Sequence, residues 1–143
     1  MPDDPWFLKD LAPDVVLAGA VMNGSLRGAD AVRTQIRTVI SFYRDFTTVY
    51  EGEFGDRRVS EYTAVVEGRP LTGVGTFHLN DKGQVDQIVV NHRPLSAALT
   101  VSRLLGEAIS GLPGRDRDEF YRPDDGQTRE DLVTYIDNHG REL

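Results

Sequence analysis

Residues 69–94 read RPLTGVGTFHLNDKGQVDQIVVNHRP, and this stretch decides the fold. Apolar and polar residues alternate along 71–79 and again along 85–93, which is the pattern of two half-buried β-strands. Residues 80–83 between them are polar and end on Gly83, which can adopt the positive φ of a tight hairpin. The stretch therefore predicts a long β-hairpin that closes near a buried histidine, His92.

The segments around this hairpin predict a single α+β domain. Period-two patterning at 46–54 and 59–67 adds two strands before it, and 15–21 reads as a buried strand followed by a loop at 24–28. A short helix is predicted at 5–11, stopped by Pro13, and a second helix spans 94–109. The long helix begins at Ala29 and has an apolar stripe at helical spacing. Its members are Val32, Ile36, Val39, Ile40 and Tyr43. This order predicts a curved antiparallel sheet wrapped around a helix.

The last 32 residues form an acidic extension, 112–143, beyond a domain at 1–111. It holds nine acidic and five basic residues. Residues 112–126 are rich in Gly, Pro, Asp and Arg and predict a loop, in which 115–118 reads as a solvated charge run. Thr128 and Asp131 have capping-box spacing and predict a final helix at 129–139. We expect this extension to be a lid over the domain or an arm exchanged with a partner.

Composition excludes several classes of function. The chain has 143 residues, a formal charge of −7 and no cysteine. The acidic balance argues against nucleic acid or an anionic membrane as a partner. Thiol chemistry and disulfides are ruled out, and no apolar run approaches the roughly 20 residues that span a bilayer. The first ten residues, MPDDPWFLKD, lack the basic start of a signal peptide, so a cytoplasmic protein is expected.

Several short motifs resemble the SnoaL-like group of the nuclear transport factor 2 superfamily, over about residues 5 to 105. They are Asp14-Val15-Val16, Leu26-Arg27-Gly28, residues 62–68, Phe77-His78-Leu79 with Gly83, and Asn91-His92-Arg93-Pro94-Leu95. The resemblance implies the cone-shaped, cystatin-like fold of polyketide cyclases and ketosteroid isomerase, with extra C-terminal helices here. It also implies a ligand pocket on the concave face of the sheet and a homodimer through the convex face.

Strand alternation assigns side chains to these two faces. The concave set is Ser60, Tyr62, Ala64, Val66, Gly73, Gly75, Phe77, Leu79, Ile88, Val90 and His92. The convex set is Thr63, Val65, Val74, Thr76, His78, Val89 and Asn91, and it is apolar enough to favour a second subunit.

Catalytic groups that the family uses are missing. Matching to ketosteroid isomerase places its two carboxyls at Gly19 and Gly75, and the opening helix that carries its tyrosine is absent. The Arg-x-Asp pair of the epoxide-hydrolase relatives is absent from every predicted strand. The acid of the cyclases has only Asp86 or the pair His92-Arg93 as a counterpart. Steroid-type isomerisation is therefore disfavoured.

Two side chains remain as candidates for chemistry. His92 is a candidate proton carrier, although a lone histidine more often only hydrogen-bonds a neighbour and orients the next helix. Tyr62 is a candidate donor to a carbonyl or enolate oxygen, or else a pocket-lining aromatic. The expected pocket lining is Trp6, Leu17, Gln35, Phe77, Asp86 and Ile88. His78 is expected at the surface, and the three histidines show no metal-ligand spacing.

These observations leave two functions open. One is an enzyme of cyclase, isomerase or hydratase type that acts on a small apolar molecule by general acid–base chemistry without a cofactor. The other is a non-catalytic dimeric module that only binds such a molecule. The missing carboxyls favour the second, and the convergence of a histidine and a tyrosine favours the first.

Overall fold

The computed structural model describes residues 4–121 of the chain. Six strands and two helices make up this part, with single 3₁₀ turns at Trp6–Leu8 and Arg117–Glu119. The strands are β1 (Leu11–Gly19), β2 (Ser25–Arg27), β3 (Arg44–Phe54), β4 (Arg57–Val66), β5 (Arg69–Leu79) and β6 (Val85–Arg93). The helices are α1 (Ala29–Phe42) and α2 (Leu95–Ile109).

The strands form one curved sheet in the order β2-β1-β6-β5-β4-β3. Neighbours pair antiparallel except β1 and β6, which run parallel, so the sheet is mixed. The hairpin of β5 and β6 lies at its centre, with Gly73 opposite His92. Its turn is held by Asn80, whose side-chain oxygen accepts from the backbone amides of Lys82 and Gln84 at 3.0 Å.

Both helices pack on the concave face of the sheet, and the hydrophobic core lies between the two layers. Helix α1 contributes Val32 and Ile36, as its stripe predicted, and α2 contributes Val101, Leu105 and Ile109, all of them buried. Burial of such side chains stabilises the domain by about 1.5–3 kcal/mol each. Gly28 precedes α1 with φ +110, a backbone conformation that favours glycine.

The predicted helix and strand near the amino terminus were misplaced. The helical turn ends at Leu8 rather than residue 11, and β1 already begins at Leu11 and includes Pro13. The pairing of β1 with β6 shifts register between Leu11 and Val16, and a proline is tolerated at such an irregularity because no regular ladder bond is lost. The predicted loop at 24–28 contains the short strand β2, which pairs with β1.

Residues 112–121 form turns and one 3₁₀ turn, as the predicted loop implied, but two of their side chains pack against the domain. Phe120 is buried in the core, and its backbone forms an isolated antiparallel β-bridge with Met22. The side chain of Arg115 is only 7% exposed, so the prediction of a solvated charge run was wrong at that residue. The predicted helix at 129–139, its cap at Thr128 and the idea of a lid or exchange arm lie outside the described residues.

Within residues 4–121, neither helix has the length and hydropathy needed to cross a membrane.

Candidate functional site

A cavity of about 270 Å³ opens between the concave face of the sheet, α1 and the amino-terminal 3₁₀ turn. Its walls are mostly apolar, as is usual for small-molecule sites, and its volume is near the lower end of their range of roughly 300–1,000 Å³. The apolar lining includes Trp6, Phe7, Leu17, Val21, Met22, Ile36, Val39, Ile40, Phe46, Phe77, Val90 and Leu105. The polar lining is Gln35, Tyr43, Thr48, Glu51, Ser60, Tyr62 and His92.

Aromatic rings form one wall, as the sequence predicted for Trp6, Phe7 and Phe77. The rings of Trp6 and Phe77 meet edge to face with centroids 5.1 Å apart, and those of Phe7 and Phe77 are 4.6 Å apart. Trp6 is 42% exposed and Phe46, across the cavity on β3, is 55% exposed. The mouth of the cavity therefore lies between the 3₁₀ turn and β3.

Three side chains meet in one hydrogen-bonded triangle on the cavity wall, which we call the Tyr–Tyr–His triangle: Tyr43, Tyr62 and His92. The hydroxyls of Tyr43 and Tyr62 are 2.7 Å apart, and they lie 2.8 and 3.0 Å from Nε2 of His92. Each member comes from a different element. Tyr62 lies on β4 and His92 on β6, on the concave side that strand alternation predicted, while Tyr43 directly follows α1.

The backbone places each ring of the triangle. Tyr43 is the first residue after α1, where the backbone turns extended, and its hydroxyl reaches Tyr62 and His92. Tyr62 lies opposite Gly73 on β5, and its ring covers that glycine so closely that a Cβ there would lie 2.2 Å from Cζ of the ring. Because Gly73 has no side chain, the ring of Tyr62 can pack directly on the backbone of β5.

Burial keeps all three members of the triangle neutral near pH 7. Burial lowers the pKa of His92 to about 4 and raises the pKa of Tyr62 to about 12. Burial, reinforced by the neighbouring Tyr62, also raises the pKa of Tyr43 well above its usual value. At neutral pH the triangle is thus a set of uncharged hydrogen-bonding groups, because ionisation in this apolar setting is unfavourable.

We infer from the surroundings of His92 that its proton lies on Nε2. Its Nδ1 is buried and has no hydrogen-bond partner in the described part of the chain. A proton on Nδ1 would be a buried donor without an acceptor, which is the more costly arrangement. With the proton on Nε2, the histidine donates to one tyrosine, that hydroxyl donates to the other, and one hydroxyl proton remains for a ligand.

Other predicted pocket residues fall into two groups. Trp6, Leu17, Gln35 and Phe77 line the cavity. Ile88 faces the concave side but is fully buried in the core, so it contacts protein rather than the cavity.

Asp86 was wrongly predicted to line the pocket. The pairing of β5 with β6 shifts between His78 and Leu79, so that Val85 and Gln87 pair with consecutive residues and Asp86 is the extra one. Such a bulge reverses the alternation beyond it. Asp86 instead binds His78 at 2.5 Å, and Asp56 binds the other ring nitrogen at 2.8 Å. These bonds, that to Asp86 first, raise the pKa of His78.

Sequence reasoning missed two residues of the site. Tyr43 was placed in the apolar stripe of α1, and its hydroxyl, at the stripe's end, was the available signal. Glu51 was hidden by a bulge between Thr48 and Tyr50, which turns it to the concave side opposite Ser60. Among residues 4–121, Glu51 is the carboxylate that lines the cavity.

No group of three or more potential metal ligands occurs among the described residues. The positions matched to the two family carboxyls, Gly19 and Gly75, both line the cavity. A Cβ at Gly19 would lie 1.9 Å from the Val90 carbonyl oxygen, so β1 and β6 approach there in a way that only glycine allows.

Several solved structures have the same fold as this chain, and three of them follow. A steroid Δ-isomerase from Pseudomonas aeruginosa is 25% identical, with a TM-score of 0.68 over 72% of this chain and 77% of that one. A protein with a cystatin-like fold from Silicibacter pomeroyi is 19% identical, with a TM-score of 0.70 over 73% and 74%. A SnoaL-like polyketide cyclase from a Jannaschia species is 14% identical, with a TM-score of 0.54 over 67% and 76%.

No protein-family model matches the sequence, and a search of curated proteins gave no match. The structural neighbours agree with the fold that the motifs around the central hairpin predicted. The chain therefore shares the curved-sheet, cystatin-like fold of these structures.

Proposed function

We propose that the cavity binds a small apolar molecule that carries a carbonyl group, and that the protein acts on it by general acid–base chemistry without a cofactor. The observation that supports this is the Tyr–Tyr–His triangle, which places a free tyrosine proton on the wall of an apolar cavity. A hydrogen bond to a carbonyl oxygen is strong in such a setting and becomes stronger as negative charge develops there.

His92 acts in this scheme by positioning the tyrosines. A pKa of about 4 leaves little protonated imidazole at neutral pH and makes the ring a weak base, which weighs against the role of proton carrier. Its Nε2 contacts both hydroxyls and holds them together. We assign the carbonyl to the hydroxyl of Tyr62 or Tyr43.

Glu51 supplies the base that the triangle lacks. Its position on the concave side of β3, at the mouth of the cavity, brings a carboxylate to the same space as the two tyrosines. In the proposed step Glu51 removes a proton from the carbon next to the carbonyl, the electron pair moves to the carbonyl oxygen, and a tyrosine stabilises the resulting enolate. Cyclisation and double-bond isomerisation share this step.

The alternative function is a binding module without turnover. Two observations favour it: the triangle is self-contained, and the positions matched to the family's carboxyls are Gly19 and Gly75. In that case the tyrosine proton orients the ligand, and Glu51 is only a charged residue at the rim.

Hydrogen exchange distinguishes the two functions. A naphthalene that carries one acetyl group would be incubated with the protein in deuterated buffer, and loss of its methyl protons followed by NMR. We expect exchange faster than in buffer alone, a drop of about a hundredfold in Glu51→Gln, and little change in the control Glu53→Gln, which lies two residues away on β3 and pairs with Arg58. Binding without accelerated exchange would support the alternative.

We also propose that the protein forms a homodimer through the convex face of the sheet. Val74 and Val89 face that side, and β3 at the sheet edge carries four of the seven large apolar side chains that are exposed within residues 4–121. They are Phe46, Val49, Tyr50 and Phe54. A second copy would cover the convex face and the adjoining edge strand.

A further inference from the structure

Gln35 is a buried amide on the wall of the cavity. It is 2% exposed and lies on α1 just before the apolar residues of that helix that also line the site. An amide buried in such surroundings is costly unless its oxygen and nitrogen find hydrogen-bond partners. The partners of the amide oxygen and of the amide nitrogen therefore indicate which group a ligand must present to Gln35.

Arg115 fixes the orientation of this amide. Its Nη2 donates to Oε1 of Gln35 at 2.5 Å, and Glu119 accepts from Nη2 and Nε of the same guanidinium at 2.9 and 3.1 Å. A guanidinium has donors only, so it can engage the amide oxygen but never the amide nitrogen. The Nε2 donor is the part of Gln35 that Arg115 cannot satisfy, and because Gln35 lines the cavity we infer that this donor faces it.

The cavity thus has donors at two separated places. Gln35 lies seven residues before Phe42, the last residue of α1, which is about 10 Å along the helix axis, and Tyr43 follows directly. The side chains of α1 that line the space between them are apolar: Ile36, Val39 and Ile40. Arg115 brings no net charge to this end, since Glu119 pairs with it.

We propose that Gln35 is a second anchor, and that the ligand is a neutral, elongated, apolar molecule with a hydrogen-bond acceptor near each end. This rests on the proposed function for the first anchor, where a tyrosine donates to a carbonyl. The second acceptor takes the Nε2 proton of Gln35. A ligand without that acceptor leaves a buried donor unpaired, which lowers its affinity by about tenfold.

Trp6 provides the readout. It is the single tryptophan of the chain and it lines the cavity, so a bound naphthalene quenches its fluorescence. Two probes are compared, one naphthalene with a single acetyl group and one with acetyl groups at opposite ends. We expect the second probe to bind the wild-type protein about tenfold more tightly.

Gln35→Glu is the decisive variant, because a carboxylate still accepts from Arg115 but presents an acceptor where the amide presented a donor. In Gln35→Glu the two-acetyl probe should bind no more tightly than the one-acetyl probe. A third probe, in which a hydroxyl donor replaces the second acetyl group, should still bind to this variant. Arg115→Met, which frees the amide to rotate, should weaken only the two-acetyl probe.

The outcomes separate this inference from the function beneath it. If both acetyl probes bind equally, or if the advantage of the second survives in Gln35→Glu, Gln35 is not an anchor although the cavity binds ketones. If neither probe quenches Trp6, the tyrosine anchor fails and this inference falls with it. Thermal unfolding of each variant checks that it is folded.

Discussion

His92 shows at the scale of one residue how burial sets chemistry. The same ring that holds two tyrosines in place resists protonation, because its burial makes the charged imidazolium unfavourable. His78, on the other face of the same hairpin, sits between two carboxylates and its pKa rises instead. The two histidines therefore affect stability with opposite dependence on pH.

His92 should make the folded state sensitive to acid. In the unfolded chain imidazole takes up a proton near pH 6.5, but the buried ring does so only near pH 4. Between these values the unfolded state binds more protons, so acidification favours unfolding, by about 2 kcal/mol between pH 7.5 and pH 5. Urea unfolding should show a smaller loss over this range in His92→Gln than in the wild-type protein.

His78→Asn is the matched control, and its effect has the other sign. Because the folded pKa of His78 is raised, its contribution is complete below about pH 6.5 and disappears as the pH rises through the folded value. The variant should be less stable than wild type at acidic pH and approach it at alkaline pH. A His92→Gln profile parallel to wild type would contradict the assigned burial.

At the scale of elements, the site depends on how closely β4 and β5 fit. Gly73→Ala would place a Cβ within 2.2 Å of the Tyr62 ring and force that ring away from Tyr43 and His92. We expect a loss of stability of about 1–3 kcal/mol and loss of ketone binding. Gly52→Ala on β3 is the control, since its Cβ meets only Val59 Cγ1 at an ordinary 3.5 Å. If Gly73→Ala bound the ketone as well as the wild-type protein, the packing of Tyr62 on Gly73 would not be needed for the site.

The elements also show why the sequence predicted part of the site and not the rest. Tyr62 and His92 were assigned to one face because regular alternation carries that information along a strand. Asp86 was misplaced because it lies at a bulge, and Glu51 was missed because it lies just beyond one, where the extra residue has reversed the faces. The position of Arg115 depends on tertiary packing against α1, which local pattern does not encode.

At the scale of the whole molecule, the fold was predictable because the hydrophobic pattern of each core segment agrees with the helix or strand that it forms. The apolar stripe of α1, the four successive strands and the helix after Pro94 all appear with bounds close to those predicted. Burial of Phe120 was not predictable, since the polar stretch 113–119 separates it from Leu112 and gives no apolar periodicity that marks one of them as buried. The helix at 129–139 and its role as a lid or exchange arm stay predictions from the sequence.

The proposed dimer can be tested at this scale. Val74→Asp places a charge on the convex face, where desolvation by a second subunit would be costly, so we expect monomers by sedimentation velocity. Leu112→Asp is the control, because it changes an exposed apolar residue of the extension. A dimeric Val74→Asp protein would move the interface elsewhere, and a monomeric wild-type protein would reject the dimer.

The central claim is that the Tyr–Tyr–His triangle donates a hydrogen bond to the carbonyl oxygen of a bound ligand. The carbon-13 chemical shift of a labelled acetyl carbonyl, measured on the naphthalene probe when bound, reports this bond directly. We predict a downfield shift on the wild-type protein that is reduced in both Tyr62→Phe and Tyr43→Phe. A bound probe whose carbonyl shift is the same in all three proteins would contradict the account.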